Sequence, residues 1–136
     1  MTDKQSTFEL KRTVQGITAA IVVAVCTAWL ALPATAGEAD VVKATIKKVG
    51  SIKFRIDATL AHADTGWDHY ANKWDVLDLD GNLLGTRVLH HPHVDEQPFT
   101  RSLTLEIPKS IAKVVIRAGD SVHEDGGKEM TLDVPH

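Results

Sequence analysis

The stretch Ile52-Lys53-Phe54-Arg55-Ile56-Asp57-Ala58-Thr59-Leu60 decides the fold, because apolar and polar side chains alternate strictly along it. Successive side chains of a β-strand point to opposite faces, so this pattern predicts a strand with one face in a core and the other in water. The same register continues to His62. That imidazole is therefore expected at the rim of the core.

Six shorter runs of the same kind lie around this strand, over residues 41–49, 73–79, 83–89, 102–107, 113–118 and 129–134. Turn-forming residues separate them, notably Gly50-Ser51, Asp80-Gly81-Asn82 and Pro108. About seven short strands with regular turns predict an all-β fold, an antiparallel immunoglobulin- or fibronectin-like sandwich. An open barrel is the alternative arrangement.

The first 36 residues have the features of an export signal. Lys11 and Arg12 precede an uncharged apolar run from Ile17 to Leu32, and Ala34-Thr35-Ala36 offers small residues for cleavage. We therefore expect a signal peptide over 1–36, a periplasmic or secreted protein, and a single β-sandwich domain over 37–136. Retention of the apolar run as a membrane anchor is the alternative, since about 20 apolar residues can span a bilayer.

Residues 37–136 contain no cysteine, because Cys26 lies inside the apolar run. Disulfide bonds, thiolate ligation of a metal and a lipid anchor on Cys26 are therefore not expected. These residues carry 12 Lys+Arg against 16 Asp+Glu, a net charge of −4 with histidine neutral. A mildly acidic domain disfavours nucleic acid as a partner, and no membrane contact is expected after cleavage.

Histidines concentrate between the predicted strands. Six of the seven occur as His62 with His69, as His90-His91-Pro92-His93, and as His123. In an antiparallel sandwich alternate connections open at the same end, and the second-to-third, fourth-to-fifth and sixth-to-seventh connections share one end. Those are the three connections that carry histidine, so the sequence predicts that the imidazoles gather at one end of the domain.

The expected gathering of histidines at one end of the domain makes metal binding the main functional hypothesis. A neutral imidazole nitrogen is a good ligand for Zn²⁺ or Cu²⁺, and three or four such ligands must lie about 2.0–2.2 Å from the ion. The predicted ligands of one Zn²⁺ or Cu²⁺ ion are His62, His69, His91, His93 and His123. Carboxylates of the same loops are expected to complete or orient the site, namely Asp64, Asp68, Glu96 and Asp120.

Four strings of residues support a resemblance to known sequences: Thr65-Gly66-Trp67-Asp68-His69-Tyr70, Leu84-Gly85-Thr86-Arg87-Val88-Leu89, His91-Pro92-His93-Val94 with Glu96-Gln97-Pro98-Phe99-Thr100-Arg101, and Asp120-Ser121-Val122-His123. They resemble a group of small exported bacterial proteins without an assigned activity, which implies export and shared loop chemistry. The expected architecture is also similar in outline to periplasmic copper-binding sandwiches of the CopC type, although this chain lacks their Met-rich loop. Superoxide reductases share such a sandwich as well, but they require a cysteine thiolate.

Two other functions would use the same loops. A non-metal interaction module of the cell envelope would bind its partner through Trp67, Tyr70 and the acidic side chains, with the histidines as ordinary polar residues. A small zinc hydrolase would use imidazoles and a water on Zn²⁺, with Glu96 as the base. We favour binding without catalysis, because the sequence shows no nucleophile beside a base and a domain of this size leaves little room for a substrate pocket.

Overall fold

The computed structural model describes residues 37–136, which form two antiparallel sheets that pack against each other. The eight strands in this part of the chain are β1 (Asp40–Lys48), β2 (Lys53–Ala61), β3 (Ala71–Leu77), β4 (Leu83–Val88), β5 (Phe99–Glu106), β6 (Lys113–Asp120), β7 (Glu124–Asp125) and β8 (Met130–Asp133). One sheet has the strand order β1-β2-β5, and the other has the order β4-β3-β6-β7 with β8 also paired to β6. The predicted all-β sandwich is confirmed.

Strand β2 forms as its alternating pattern predicts. Phe54, Ile56 and Leu60 are fully buried, whereas Lys53 and Arg55 are exposed on the opposite face. Side chains of the facing sheet, including the fully buried Trp74 and Ile116, complete the same core cluster. Each large apolar side chain buried in this way contributes about 1.5–3 kcal/mol, so the core between the sheets holds the sandwich together.

The predicted hairpin at Asp80-Gly81-Asn82 joins β3 to β4. Gly81 has a φ of 85°, which a glycine adopts without a steric cost. The Asp78 carboxylate accepts hydrogen bonds from the backbone N–H groups of Asp80 and Asn82, at 2.9 and 2.8 Å. The Asn82 side-chain amide also donates to this carboxylate at 2.8 Å, and this bond, together with the backbone bonds, holds the pKa of Asp78 below its ordinary value. The β3–β4 hairpin at this end is therefore built from turn chemistry. The histidine found at this end is His136, whose Nε2 lies 2.8 Å from the carbonyl of Ile111.

The number of strands and several strand ends differ from the sequence-based expectation, since β5, for example, begins at Phe99 instead of residue 102. The two-residue strand β7 was not predicted, because a segment this short has no measurable periodicity. It follows the tight turn over residues 121–123 and begins at Glu124, whose φ is 60°. Strand β6 also runs to Asp120 instead of ending at Ala118. Together β7 and the longer β6 form a hairpin in which Asp120 pairs with Glu124.

The predicted signal peptide, its cleavage after Ala36, the apolar run and Cys26 lie outside the described residues. Within residues 37–136, no helix has the length and apolar character that crossing a membrane requires. Just after the predicted cleavage position the chain joins the domain firmly, since the N–H of Val41 donates to the carbonyl of Lys128 at 2.8 Å. The N–H of Lys128 in turn donates to the Asp40 carboxylate at 2.7 Å.

Candidate metal centre

The three histidine-bearing connections lie at the same end of the sandwich and contact one another. The β2–β3 connection is tied to the turn after β6, because Ser121 N–H donates to the carbonyl of Tyr70 at 3.0 Å and Tyr70 N–H donates to Ser121 Oγ at 3.1 Å. The same connection contacts the loop after β4, where His93 N–H donates to Asp64 Oδ2 at 2.7 Å. The predicted gathering of these loops is therefore present.

Two imidazoles and one carboxylate meet at this end. The Nε2 atoms of His62 and His69 are 3.3 Å apart, and His69 Nε2 lies 3.0 Å from Asp120 Oδ1. Ligand atoms of these three residues all lie within 4.8 Å of one another. We refer to His62, His69 and Asp120 as the His–His–Asp cluster. Its members come from the end of β2, the following loop and the end of β6.

His62 enters the cluster because of the register of β2. It lies two residues beyond the buried Leu60 and is 6% exposed, in agreement with the inward position expected from the sequence. Its Nδ1 lies 2.5 Å from Asp64 Oδ1. The carboxylate accepts a hydrogen bond from Nδ1–H, which leaves Nε2 with its lone pair toward His69. Metal-binding histidines commonly have this carboxylate–imidazole arrangement.

Asp64 is buried, and its contacts fix it in position. Besides the His62 ring, it accepts a hydrogen bond from Ala71 N–H at 3.0 Å through Oδ1 and one from His93 N–H through Oδ2. Three donors from three separate segments thus surround one carboxylate. Asp64 therefore orients His62 and ties the three segments to one another.

His69 is placed by a tight turn in the β2–β3 connection. Thr65 N–H donates to the His69 carbonyl at 3.0 Å, and His69 N–H donates to the Gly66 carbonyl at 3.3 Å. Gly66 has a φ of 136°, a backbone conformation that favours glycine. The turn projects the His69 ring back toward Asp120, and the side chain remains only 15% exposed.

Asp120 is the buried acid of the cluster, and the turn after β6 holds it. Its Oδ1 accepts hydrogen bonds from the backbone N–H groups of Val122 and His123 at 2.9 and 2.7 Å. Burial raises the pKa of Asp120, but these two bonds and the His69 ring outweigh burial and hold the pKa below its ordinary value. Its Oδ2 is buried and has no hydrogen-bond partner among residues 37–136. An ionised carboxylate with one buried oxygen unpaired is suited to a cation.

His123 stands at the rim of the cluster and outside the group of three. Its Nδ1 lies 3.3 Å from Asp120 Oδ1, and its ring centre is 4.9 Å from that of His69. The side chain is 37% exposed. It is therefore the solvent-facing neighbour of the buried donors.

His91 and His93 form a second pair in the loop after β4, with ring centres 4.6 Å apart. The His93 ring stacks on Phe99 at a centroid distance of 3.9 Å, and its Nε2 accepts a hydrogen bond from Arg101 Nη2 at 3.0 Å. Burial lowers the pKa of His93, and the Arg101 guanidinium lowers it further. The structure thus does not bring this pair into the three-residue group, although the sequence placed all five histidines in one site.

The remaining predicted residues lie away from the buried donors. Glu96 binds the Arg101 guanidinium through both carboxylate oxygens, at 3.2 and 3.1 Å, and this pairing holds the pKa of Glu96 below its ordinary value. Asp68 is exposed on its turn. The sequence treated Asp120 as an accessory residue, yet the structure places it beside two imidazoles. The sequence does indicate that Asp120 points inward, because it continues the buried register of β6, formed by Val114, Ile116, Ala118 and Asp120.

Comparisons with known proteins give one sequence relative and one distant structural likeness. No protein-family profile matches the chain. A protein of Halomicrobium mukohataei described as "Putative lipoprotein" is 43% identical over 96 residues, which make up 71% of this chain and 47% of that protein. The chain thus spans about half the length of that relative. Among solved structures, the superoxide reductase (1Fe-SOR) from Giardia intestinalis aligns with 70% of this chain and 99% of its own at 13% identity and a TM-score of 0.43.

Proposed function

We propose that this protein is exported and that it binds one transition-metal ion through His62, His69 and Asp120. The observation that carries the proposal is the approach of two imidazole Nε2 atoms to 3.3 Å while Asp64 holds the other nitrogen of His62. Ligands about 2.0–2.1 Å from a tetrahedral Zn²⁺ ion lie about 3.3–3.4 Å from one another. The separations of 3.3 and 3.0 Å in the cluster are close to those edges.

The donor types favour Zn²⁺ or Cu²⁺. Two neutral imidazoles and one carboxylate suit a divalent ion of intermediate softness, and residues 37–136 contain no thiolate that would favour Cu⁺. The unpaired Oδ2 of Asp120 is compatible with the same proposal, because this carboxylate keeps one oxygen that no donor among residues 37–136 uses. We rank Zn²⁺ first, since two of the three donor separations are close to the edges of a tetrahedral site.

Export and an envelope location are supported by two independent observations. The first 36 residues have the order of charge, apolar run and small residues that is typical of a signal peptide. The sequence relative carries a description as a lipoprotein, and lipoproteins are exported. We propose a periplasmic or secreted protein on this basis, with the metal ion as its first partner and an envelope protein as the second.

The alternative of an interaction module has one observation in its favour. Trp67 is 68% exposed at the same end of the molecule, and its ring packs edge-on against Tyr70 at 5.6 Å. An exposed tryptophan beside a tyrosine is typical of binding surfaces. The hydrolase alternative is less well supported, because Glu96, its proposed base, is paired with Arg101.

Calorimetric titration of the purified protein with Zn²⁺ and with Cu²⁺ tests the proposal. We expect one ion per chain at about pH 7 and much weaker binding at about pH 5, because an imidazole must be deprotonated to bind a metal. His69→Ala should lose the binding, whereas His90→Ala, a matched exposed histidine at the same end, should keep it. Absence of binding at both pH values, or equal binding by both variants, would refute the proposal.

A further inference from the structure

We infer that the metal ion in the His–His–Asp cluster keeps one coordination position open to solvent, and that this position binds a small anion. The inference deepens the proposed function and rests on it. It starts from the number of donors, since only three residues among 37–136 bring ligand atoms within 4.8 Å of one another. Three protein ligands with an open fourth position are the usual arrangement of zinc sites that bind exogenous ligands.

The exposure of the side chains shows on which side the position lies. The side chains of His62 and Asp120 are completely buried, that of His69 is 15% exposed and that of His123 is 37% exposed. Exposure therefore rises from His62 through His69 to His123. A ligand from solvent would reach the ion between these last two rings.

His123 is the histidine that lies beside the group of three without belonging to it, and the turn after β6 fixes its backbone. Its N–H donates to Asp120 Oδ1, and the next residue, Glu124, pairs with Asp120 in the β6–β7 hairpin. The hairpin is tight, since a Cβ atom on Gly119 would lie 2.8 Å from the Glu124 carbonyl. The backbone of His123 is therefore fixed, and its ring lies outside the group of three. His123 is thus placed to donate a hydrogen bond to a ligand on the metal.

The charge of the centre favours an anion in this position. A divalent ion bound by one carboxylate and two neutral imidazoles carries a net charge of about +1 in its own coordination shell. The second carboxylate, Asp64, is separated from the ion by the His62 ring and is already hydrogen-bonded on both oxygens. A small monovalent anion would neutralise the remaining charge.

Azide binding to the Co²⁺-loaded full-length protein tests this inference. Co²⁺ takes the place of Zn²⁺ in the site, and the visible absorption of the bound Co²⁺ depends on its ligands. We expect a saturable change in the Co²⁺ spectrum on addition of azide. His123→Ala should keep its affinity for Co²⁺ within about tenfold, and its azide affinity should be about two- to tenfold weaker, the loss expected for one hydrogen bond. His90→Ala should match the wild type in both measurements.

The outcomes separate the inference from the function on which it rests. If Co²⁺ binds but azide leaves its spectrum unchanged, the open position is absent and the metal site stands. A spectrum that responds to azide only in His123→Ala would show that His123 occupies the fourth position, which also overturns the inference. If none of Co²⁺, Zn²⁺ and Cu²⁺ binds, the proposed function fails and the inference fails with it.

Discussion

Two histidine pairs lie at the same end of this sandwich, and their neighbours give them opposite chemistry. The rings of His62 and His69 face each other and contact the carboxylates of Asp64 and Asp120. His91 and His93 also lie close together, but His93 stacks on Phe99 and accepts a hydrogen bond from Arg101. The Asp64 carboxylate on His62 Nδ1 leaves the Nε2 of that ring able to bind a cation, whereas the Arg101 guanidinium uses the lone pair of His93 Nε2 and repels a cation.

The comparison shows that spacing along the chain is a poor guide to a metal site. His91 and His93, two residues apart, have the local pattern of a chelating pair, but Arg101 is hydrogen-bonded to the lone pair of His93. His69 and Asp120 are 51 residues apart and still lie within hydrogen-bond distance. The partner that a ring meets in the folded protein therefore decides its role.

Removing one ring from each pair should give the largest difference. We expect His62→Ala to weaken Zn²⁺ binding more than about 100-fold, since loss of an outer neighbour alone typically costs about 10–100-fold. His93→Ala should change the affinity less than about tenfold, because its backbone N–H still donates to Asp64. Calorimetric titration measures both constants. Similar losses in the two variants would mean that the two pairs form a single site.

Asp64→Asn should have the next largest effect, since it changes the group that orients His62. An amide at this position cannot match the carboxylate as an acceptor for His62 Nδ1–H. We expect Zn²⁺ affinity to fall by about 10–100-fold. Asp68→Asn, at an exposed position of the same connection, is the control and should leave the affinity unchanged. An unchanged Zn²⁺ affinity in Asp64→Asn would show that Asp64 does not orient His62 for metal binding.

Arg101→Ala should make His93 more basic without creating a second metal site as strong as the first. The guanidinium now lowers the pKa of His93, so its removal should raise that pKa toward the ordinary value, while burial still keeps it below. The ring protons of His93 followed by NMR across the pH range would measure the shift. Arg55→Ala, on the neighbouring strand β2 of the same sheet, should leave it unchanged, because Arg55 pairs with Asp57 and not with His93. A pKa of His93 that does not move would contradict the contact with Arg101.

The smallest effect is expected on how the free energy of unfolding of the metal-free protein depends on pH. Because the pKa of His93 is lower in the folded than in the unfolded state, the unfolded state takes up a proton first as the pH falls below about 6.5. His93 therefore contributes stability above that pH, and the contribution is lost as the pH falls toward the folded-state pKa. Urea unfolding at a series of pH values measures this dependence. The free energy of unfolding should change less with pH in His93→Asn than in His90→Asn. Equal slopes would argue against the shift.

Much of the fold follows from local pattern. The alternation along β2 identifies its buried face and places His62 in the inward register, and Asp80-Gly81-Asn82 marks the hairpin between β3 and β4. Strand β7 escapes such analysis, because two residues carry no periodic signal. The turn before β7 is also what presents the backbone N–H groups of Val122 and His123 to Asp120.

The sequence by itself determined the sandwich, the side chains that face its core and the end at which the histidines gather, because these follow from periods and turns within a few residues. Only the tertiary structure decided which histidines keep a free lone pair. Asp64 meets His93, 29 residues away, and Asp120 meets His69, 51 residues away. The protonation and coordination of an imidazole depend on the charged group beside it, and in this protein the packing of distant strands and loops supplies that group.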